Sequence, residues 1–255
     1  MQDYKSPPQP LAGPMSAIVE NRSSFFRPER YPLLRPIVEG DDGAERSLAD
    51  TAGDTLLAKI VSGELPAGAR LKTTEIGAEL GMSRTPVAKA LAKLASEGIL
   101  LQQNNHQAIV AAGAAEWLVQ VHELRQLLEP EAALRAAGRV PQEVLEDLWL
   151  LSRDSKPTKA HDWVEPAQFF DFALHLSIAE HCGNLPIAVS IRRCWRYKRL
   201  SYQLSDGCRS TLMSEYDEHV AILAALAEGD ANRAKDEMAK HLQRASSGRF
   251  SQRVV

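Results

Sequence analysis

The sequence contains few cysteines, and their spacing excludes two common stabilising frameworks. It has three, Cys182, Cys194 and Cys208, and none is part of a CxxC pair. An odd number without paired spacing argues against a disulfide scaffold and against a zinc ribbon. We therefore expect a reducing, cytoplasmic setting for this chain.

Long apolar runs and a strong excess of one charge are also absent. No run approaches the roughly 18–20 apolar residues of a membrane span, and the first residues lack the apolar core of a signal peptide. The formal net charge is -3, with 44% of residues hydrophobic and 25% charged. These values predict a soluble globular protein with no membrane association and no general affinity for nucleic acids, while permitting a local basic surface.

The N-terminal part is distinguished by proline. Residues 1–46 hold seven of the 14 prolines and show no sustained helical or alternating period. We interpret them as an irregular, proline-rich extension. The chain of 255 residues is long enough for one large or two small domains.

Residues 47–112 follow the pattern of a winged helix-turn-helix. A first helix with one apolar face ends near Gly63, and a short second helix is predicted at about 74–80. After the third helix, two short β-like runs at 99–101 and 108–110 flank a polar tip. This order of elements predicts a DNA-binding domain.

The third helix, from Arg84 to about Glu97, is the candidate recognition helix. Ser83 is a favourable N-cap, Pro86 is tolerated in the first turn, and Gly98 suits the C-terminal end. The first turn of such a helix meets base edges in the major groove. Arg84 can make a bidentate contact to guanine there.

Residues 54–111 resemble the DNA-binding domain of GntR-family transcription regulators, and the Ser-Arg-Thr-Pro-Val segment is highly specific. The matching segments are Ile60-Val61-Ser62-Gly63-Glu64-Leu65 with Pro66 and Gly68, Leu80-Gly81-Met82-Ser83-Arg84-Thr85-Pro86-Val87, and Ala90-Leu91 and Leu94 with Glu97-Gly98. The resemblance assigns base reading to Arg84, Thr85 and Pro86. The wing tip of this chain consists of Asn104, Asn105 and His106. The resemblance also places this tip in or near the minor groove.

The predicted DNA-contacting residues depart from the family pattern after Val87. The family usually continues Val-Arg-Glu, whereas Val87 is followed here by Ala88 and Lys89, so Lys89 is the candidate replacement for the missing charge. Lys93 can reach phosphates. Residues 51–111 carry six Lys and Arg against five Asp and Glu, so DNA binding requires the positive charge to lie on one face. The alternatives are a solvated charge at Arg84 and a plain polar turn at the wing tip.

The remainder of the chain, at 113–255, predicts an all-helical domain, so the fold class is mainly α. No strand pattern or glycine-rich phosphate loop occurs in it. We predict helices at about 114–138 (interrupted around Pro130), 141–153, 165–181, 185–204, 209–228 and 230–247. The last boundary is marked by Gly229 followed by Asp230, a C′ glycine and an N-cap.

This region resembles the FCD effector domain of the FadR-type branch of GntR regulators, which includes fatty-acid and organic-acid sensors. The resemblance covers the whole domain in order. Its segments are Leu124 to Ala133, Asp171 to His175, Gly183-Asn184-Leu185-Pro186, Glu218-His219-Val220-Ala221-Ile222 and Lys240-His241-Leu242.

Asp171 and His175 are the first candidates for chemistry. They lie four residues apart in an apolar helical run, so both project from one face. Burying a carboxylate and an imidazole is costly unless a partner satisfies them. Either a direct hydrogen bond between the two or a bound cation would do so, and the pair alone favours the hydrogen bond.

Two further histidines change this balance. With His219 and His241 the set becomes one carboxylate and three imidazoles, which suits a divalent transition metal such as zinc, nickel, manganese or iron. Sequence spacing does not establish that the four converge, and ordinary core or surface positions are the alternative. The resemblance implies that Asp171, His175, His219 and His241 are the metal ligands.

An effector site is expected beside this metal. Open coordination positions can accept water or the carboxylate of a small acid, and Arg125 is the candidate second anchor because its planar fork pairs with a carboxylate. The alternative for Arg125 is an ion pair with Glu129, one turn away. Asn184 is a further candidate contact, with a helix cap as its alternative.

Together these observations predict a ligand-responsive transcription regulator. We expect a homodimer that binds a palindromic operator in double-stranded DNA through two recognition helices. The resemblance implies repression that a small carboxylate relieves. One alternative is a DNA-binding regulator with a purely structural metal and no effector. The other is a metal-dependent hydrolytic enzyme, which would leave the winged helix unexplained.

Overall fold

The structure is a computed structural model that describes residues 47–103, 107–159, 163–203 and 208–249. Within them, an N-terminal winged helix-turn-helix precedes a C-terminal bundle of six helices. The predicted fold class is therefore confirmed. The predicted irregular extension at 1–46 lies outside the described residues.

Helix α1 (Leu48–Val61) supports the winged helix-turn-helix. Ser47 is extended before it, and its side-chain oxygen accepts a hydrogen bond from the backbone N of Asp50 at 3.2 Å, which is N-cap geometry. One face of the helix enters the core of the domain. That face consists of Ala52, Leu56, Leu57, Ile60 and Val61.

Helices α2 (Thr73–Leu80) and α3 (Arg84–Ser96) form the helix-turn-helix. Gly81 ends α2 at a φ of 64°, in the left-handed region that glycine adopts without a steric penalty. Ser83 occupies the predicted N-cap position with an extended backbone, although its side chain makes no capping hydrogen bond. Both predicted helices are thus present, and the turn between them is short.

The wing is an antiparallel hairpin within a three-stranded sheet. Strands β2 (Leu100–Gln103) and β3 (Gln107–Val110) form the predicted hairpin, and β1 (Arg70–Lys72) pairs with β3 to give the order β1-β3-β2. The sequence analysis did not predict β1. A strand of three residues with only Leu71 buried is too short to show an alternating pattern.

The bundle contains the six helices that were predicted, close to the predicted bounds, and a 3-10 turn at Ala114–Glu116 precedes it. None of the described helices combines the length and the hydropathy that a bilayer crossing requires. The helices are α4 (Trp117–Ala136), α5 (Gln142–Asp154), α6 (Val164–His181), α7 (Leu185–Gln203), α8 (Cys208–Glu228) and α9 (Ala231–Arg249).

The predicted interruption around Pro130 is wrong, because α4 continues through this residue. A proline inside a helix removes one backbone hydrogen bond and crowds the preceding turn. Here Pro130 is buried, and so are Ala132, Ala133 and Ala136 in the following turns. Packing of this face against α6, α7 and α9 holds the helix together across the missing bond.

Helix α6 lies at the centre of the bundle. Every residue from 169 to 179 is buried, and α4, α5, α7 and α8 pack around the helix. Polar side chains on α6 must therefore find their partners inside the protein. The boundary between α8 and α9 is as predicted: Gly229 has a φ of 71°, and Asp230 Oδ1 accepts a hydrogen bond from Arg233 N at 3.0 Å.

Candidate metal centre and DNA-reading face

Four side chains from three helices converge at the centre of the bundle. Asp171 and His175 come from α6, His219 from α8 and His241 from α9, and each offers a ligand atom within 4.8 Å of the others. The exposed fractions of the four residues are 0%, 1%, 2% and 1%. The convergence that sequence spacing left open is therefore present, and the group could hold a metal ion.

The distances within this group place electron-rich atoms opposite one another. His219 Nε2 lies 3.1 Å from Asp171 Oδ1. His175 Nε2 lies 3.4 Å from the same oxygen and 3.4 Å from His219 Nε2. A cation between them would receive lone pairs from the nitrogens and the oxygen together. One oxygen and three nitrogen donors fit a first-row divalent ion, so the residues suit the predicted metal.

Two carboxylates outside the group orient its imidazoles. Glu129 Oε2 lies 2.6 Å from His175 Nδ1, and Glu218 Oε2 lies 2.9 Å from His241 Nδ1. Each carboxylate is an acceptor, so each favours the tautomer that carries its proton on Nδ1 and presents the Nε2 lone pair to an ion. Burial lowers the pKa of both histidines, which keeps the imidazoles in the neutral, metal-binding form.

Nearby cations keep the buried carboxylates ionised. Burial opposes ionisation of Asp171, but the Lys198 ammonium and a hydrogen bond with His219 hold the pKa of its carboxyl well below the usual range. Burial likewise opposes ionisation of Glu129, whose pKa is lowered nonetheless by the Arg125 guanidinium. Both acids are therefore anionic over the physiological pH range, as a ligand and an orienting group require.

Glu129 gives the first test of this arrangement. We expect Glu129→Gln to weaken metal binding by about 10- to 100-fold, because an amide no longer fixes the His175 ring through a charged acceptor. Competition with a chromophoric chelator would measure the affinity. The matched control is Glu131→Gln on the same helix, where Glu131 forms an exposed pair with Arg135. Equal metal affinity in the two folded variants would contradict the assigned role of Glu129.

Arg125 forms the ion pair with Glu129, and Asn184 forms the helix cap, that were considered as alternatives to effector binding. Arg125 is 2% exposed, its Nε and Nη2 donate to Glu129 at 2.6 and 3.2 Å, and its guanidinium lies 4.2 Å from the centre of the Trp195 ring. Asn184 Oδ1 accepts a hydrogen bond from Ile187 N at 3.1 Å and caps the start of α7. Their roles in effector binding stay predictions.

The sequence analysis missed three charged residues at this centre. Glu129 was considered only as a partner of Arg125, Glu218 only as part of a motif, and Lys198 not at all. Lys198 is 6% exposed, and its Nζ lies 3.9 Å from Asp171 Oδ2. Each has a partner on another helix, which is His175 for Glu129, His241 for Glu218 and Asp171 for Lys198, so no local sequence signal marks them.

The predicted DNA-reading face is the exposed side of α3. Arg84, Thr85 and Lys89 are exposed there, and Pro86 is half-buried in the first turn. The opposite side enters the domain core through Val87, Ala90, Leu91 and Leu94. This division suits a helix that presents its first turn to the major groove, although the individual DNA contacts stay predictions.

Lys93 has a partner within the domain. Its Nζ lies 2.6 Å from Asp50 Oδ1 and joins α3 to α1. A phosphate contact by Lys93 would have to compete with this ion pair. The other predicted contacts, Asn105 and His106 at the wing tip, lie outside the described residues.

Two family models match the chain in succession. Residues 48–110 match the model described as bacterial regulatory proteins, gntR family, and residues 120–244 match the FCD domain. The first match covers the winged helix-turn-helix, and the second covers the part of the bundle that contains all four candidate metal ligands.

Two similar proteins are named as regulatory proteins. A protein named "Putative L-lactate dehydrogenase operon regulatory protein" from Escherichia coli K12 is 28% identical, and the match covers 77% of this chain and 84% of the relative. The Nta operon transcriptional regulator of Aminobacter aminovorans is 27% identical over 69% of this chain and 82% of its own length.

Solved structures share the fold along most of the chain. Escherichia coli McbR/YncC is 23% identical, with a TM-score of 0.58 and coverage of 81% of this chain and 98% of that structure. Lar, which controls the expression of the Listeria monocytogenes agr system, is 21% identical with a TM-score of 0.55, over 82% of this chain and 99% of its own. The chain belongs to the GntR family of DNA-binding bacterial transcription regulators, and it carries an FCD effector-binding domain.

Proposed function

We propose that this protein is a metal-dependent transcription regulator, with a DNA-binding domain at 47–112, that releases its operator when a small carboxylate binds in the FCD domain at 113–255. The observation that carries the proposal is the group of Asp171, His175, His219 and His241 at the centre of that domain. An octahedral ion held by four protein ligands keeps coordination positions open, and an anionic oxygen can occupy them, whereas four ligands would close the site of a tetrahedral zinc ion.

Charge balance within the bundle favours an anionic effector. The buried charged side chains of the described bundle are two cations, Arg125 and Lys198, and three anions, Glu129, Asp171 and Glu215. These five side chains sum to -1, and burial lowers the pKa of His175 and of His241, which favours the neutral form of both. A divalent metal would change this to +1. Because unbalanced buried charge is costly, a monoanion such as one carboxylate group would neutralise the loaded site.

The name of one relative supports the same chemical class, and the name of a second concerns a small neutral metabolite. The Escherichia coli relative is named for an L-lactate dehydrogenase operon, and L-lactate is a small monocarboxylate. A shorter match, 35% identical over 36% of this chain, is named "Probable D-xylose utilization operon transcriptional repressor". Both names concern operons for the use of a small metabolite, which fits a regulator that its effector releases from DNA.

A homodimer would account for the operator. Each chain supplies one α3, and two such helices one DNA turn apart read a palindromic site of matching half-site spacing. Effector binding that changes the relative placement of the two winged domains would lower affinity for that spacing. Arg84, Thr85, Pro86 and Lys89 are the proposed contacts on each half-site.

The proposal is tested with a DNA fragment that the native protein selects from random sequence. DNA affinity of the metal-loaded protein would be measured by fluorescence anisotropy with and without acetate, L-lactate, succinate and citrate. We expect at least one of them to weaken binding by about 5- to 150-fold, the usual range of allosteric coupling. L-lactamide, the neutral amide of lactate, is the control for charge.

The same experiment separates the two alternatives. Full metal loading with no effect of any of the four acids on DNA affinity would favour a purely structural metal. Chemical conversion of an added acid or its ester, followed by NMR, would favour a metal-dependent enzyme. Because the matched relatives are named as regulators, we do not expect the enzymatic outcome.

A further inference from the structure

We propose that helix α7 couples the metal centre to the recognition helix through Arg196, Tyr197 and Glu97, so that filling the centre changes the affinity for DNA. The proposal rests on the metal centre of the proposed function, and it adds the route by which the state of that centre reaches α3. Contacts of α7 on two sides carry it. They join this helix to the winged domain and to the carboxylate that orients His175.

The bundle contacts the recognition helix at its C-terminal end. Glu97 follows α3 there, and its carboxylate accepts hydrogen bonds from Arg196 Nη2 and from the Tyr197 hydroxyl. Arg196 Nη2 also donates to the Tyr197 oxygen at 2.7 Å. Burial raises the pKa of the Tyr197 hydroxyl, which therefore stays protonated and remains a donor. Charge-assisted contacts of this kind are stronger than neutral ones and fix the geometry of the groups that they join.

Tyr197 is also part of the core of the winged domain. It is 6% exposed, it packs with the buried apolar residues of that domain, and it meets the Trp117 ring edge-on at 5.6 Å. The first turns of α4 pack against the same core, but they follow the winged domain directly in the chain. Tyr197 lies 100 positions after Glu97, so α7 is a remote part of the bundle that reaches into this core.

Another side of α7 contacts the metal centre. Trp195 is fully buried, its Nε1 donates to Glu129 Oε1 at 2.9 Å, and its ring centre lies 4.7 Å from that of His175. Glu129 Oε2 lies 2.6 Å from His175 Nδ1, so this carboxylate joins a candidate metal ligand to the indole. Successive residues of a helix are about 100° apart, which places Trp195 and Tyr197 on opposite sides of α7. A single turn of this helix therefore touches the metal centre and the winged domain.

These contacts form one continuous chain from the centre to α3. A cation bound between the four candidate ligands would fix the Nε2 atom of His175. Glu129 binds the other nitrogen of that ring and also binds Trp195, so a shift of the ring is passed to α7. Packed and hydrogen-bonded groups can carry coupling energy between distant sites in this way. Glu97 moves with α7, and α3 is displaced relative to the bundle.

The first test compares the DNA affinity of the metal-loaded protein with that of protein stripped by EDTA, by fluorescence anisotropy on the selected fragment. Zinc, nickel and manganese are the ions used for loading. We expect the ion that the native protein binds most tightly to strengthen DNA binding by at least about 5-fold, within the usual range of allosteric coupling.

Two variants interrupt the contact between α7 and α3. Glu97→Ala removes the carboxylate that Arg196 and Tyr197 share, while the backbone N–H of residue 97 still caps the helix. The ratio of loaded to stripped DNA affinities should therefore fall to about 1 in a folded protein. Tyr197→Phe keeps the ring in the core and removes only its hydroxyl, so we expect a ratio between about 1 and the native value.

The matched control is Glu64→Ala in the same domain. Glu64 is an exposed residue that pairs with Lys59, so this change removes the same charge without touching α7. It should keep the native ratio, even if the loss of an acidic group raises the DNA affinity of both forms. Metal affinity, measured by competition with a chromophoric chelator, should be native in all three variants.

Hydrogen exchange gives a readout that does not involve DNA. Loading the native protein should slow amide exchange in the peptide that covers the last turn of α3, because a fixed α7 holds the end of that helix more firmly. In Glu97→Ala the same peptide should exchange equally fast in the loaded and stripped forms. In Glu64→Ala it should respond to metal as in the native protein.

Three results would contradict the proposal, and they can be told apart. A native affinity ratio in metal-loaded Glu97→Ala would exclude this route and leave the proposed function intact. If the DNA affinity of the native protein did not depend on metal, the coupling would be overturned, and the effect of the four acids would decide the proposed function separately. Native protein that binds none of the three ions would overturn the metal centre and the coupling together.

Discussion

Asp171→Ala is expected to reduce the metal content of the purified protein from about one divalent ion per chain to a trace. Asp171 supplies the only oxygen of the four-ligand group and lies at its centre. Loss of a direct ligand should cost more than the about 10- to 100-fold loss of affinity expected for an outer carboxylate. Mass spectrometry of metals on the native protein and the variant, purified in parallel, measures the effect.

The matched control is Asp217→Ala, an exposed aspartate on α8 two residues before His219. It should retain the native metal content. His219→Ala should lose metal as Asp171→Ala does. Native protein that stays free of metal after incubation with zinc, nickel and manganese would contradict the metal centre and leave the winged helix assignment unchanged.

Arg84→Ala is expected to abolish recognition of the operator while leaving the fold intact. Arg84 is exposed in the first turn of α3, so its removal disturbs no core contact. A bidentate contact between arginine and guanine contributes about 1–3 kcal/mol of base discrimination, and a dimer would lose two of them. Anisotropy titrations against the selected fragment and against a scrambled fragment measure both affinity and specificity.

Two further variants separate the loss of base recognition from a general loss of positive charge. Arg135→Ala removes the same charge from an exposed position on α4 and should bind DNA as the native protein does. Lys89→Ala should weaken binding to both fragments about equally and reduce the slope of log affinity against log salt by about 2, as expected when each subunit of a dimer loses one phosphate contact. Retained operator specificity in Arg84→Ala would exclude Arg84 as a base-reading residue.

Local sequence signals were sufficient for most of the fold. Capping residues and apolar periodicity predicted the helices, and Gly229 with Asp230 located the final turn. Two features escaped because they depend on distant packing. Strand β1 has only three residues and is defined by its pairing with β3, more than 30 positions later. Helix α4 continues through Pro130 because the surrounding helices hold that face.

The candidate site likewise contains residues that the sequence predicted and residues that it did not. The four candidate ligands could be named because their residue types and family motif are visible along the chain. The groups around them could not, since each acts on a helix remote in sequence: Glu129 and His175 are 46 positions apart. Lys198 is one cation in a helix rich in arginine, and only its burial and its distance to Asp171 separate it from the others.

The contact between Glu97 and α7 also has a consequence for evolution and for engineering. If only a linker joined the DNA-binding domain to the effector-binding domain, recombination could exchange one DNA-binding domain for another without loss of regulation. Here the last turn of the reading helix and two residues of the sensor, Arg196 and Tyr197, form one hydrogen-bonded unit. A chimera that joins this winged domain to a foreign sensor would therefore inherit only half of the unit. We expect a chimeric regulator to respond to its effector only when residue 97 and residues 196–197 come from the same parent protein.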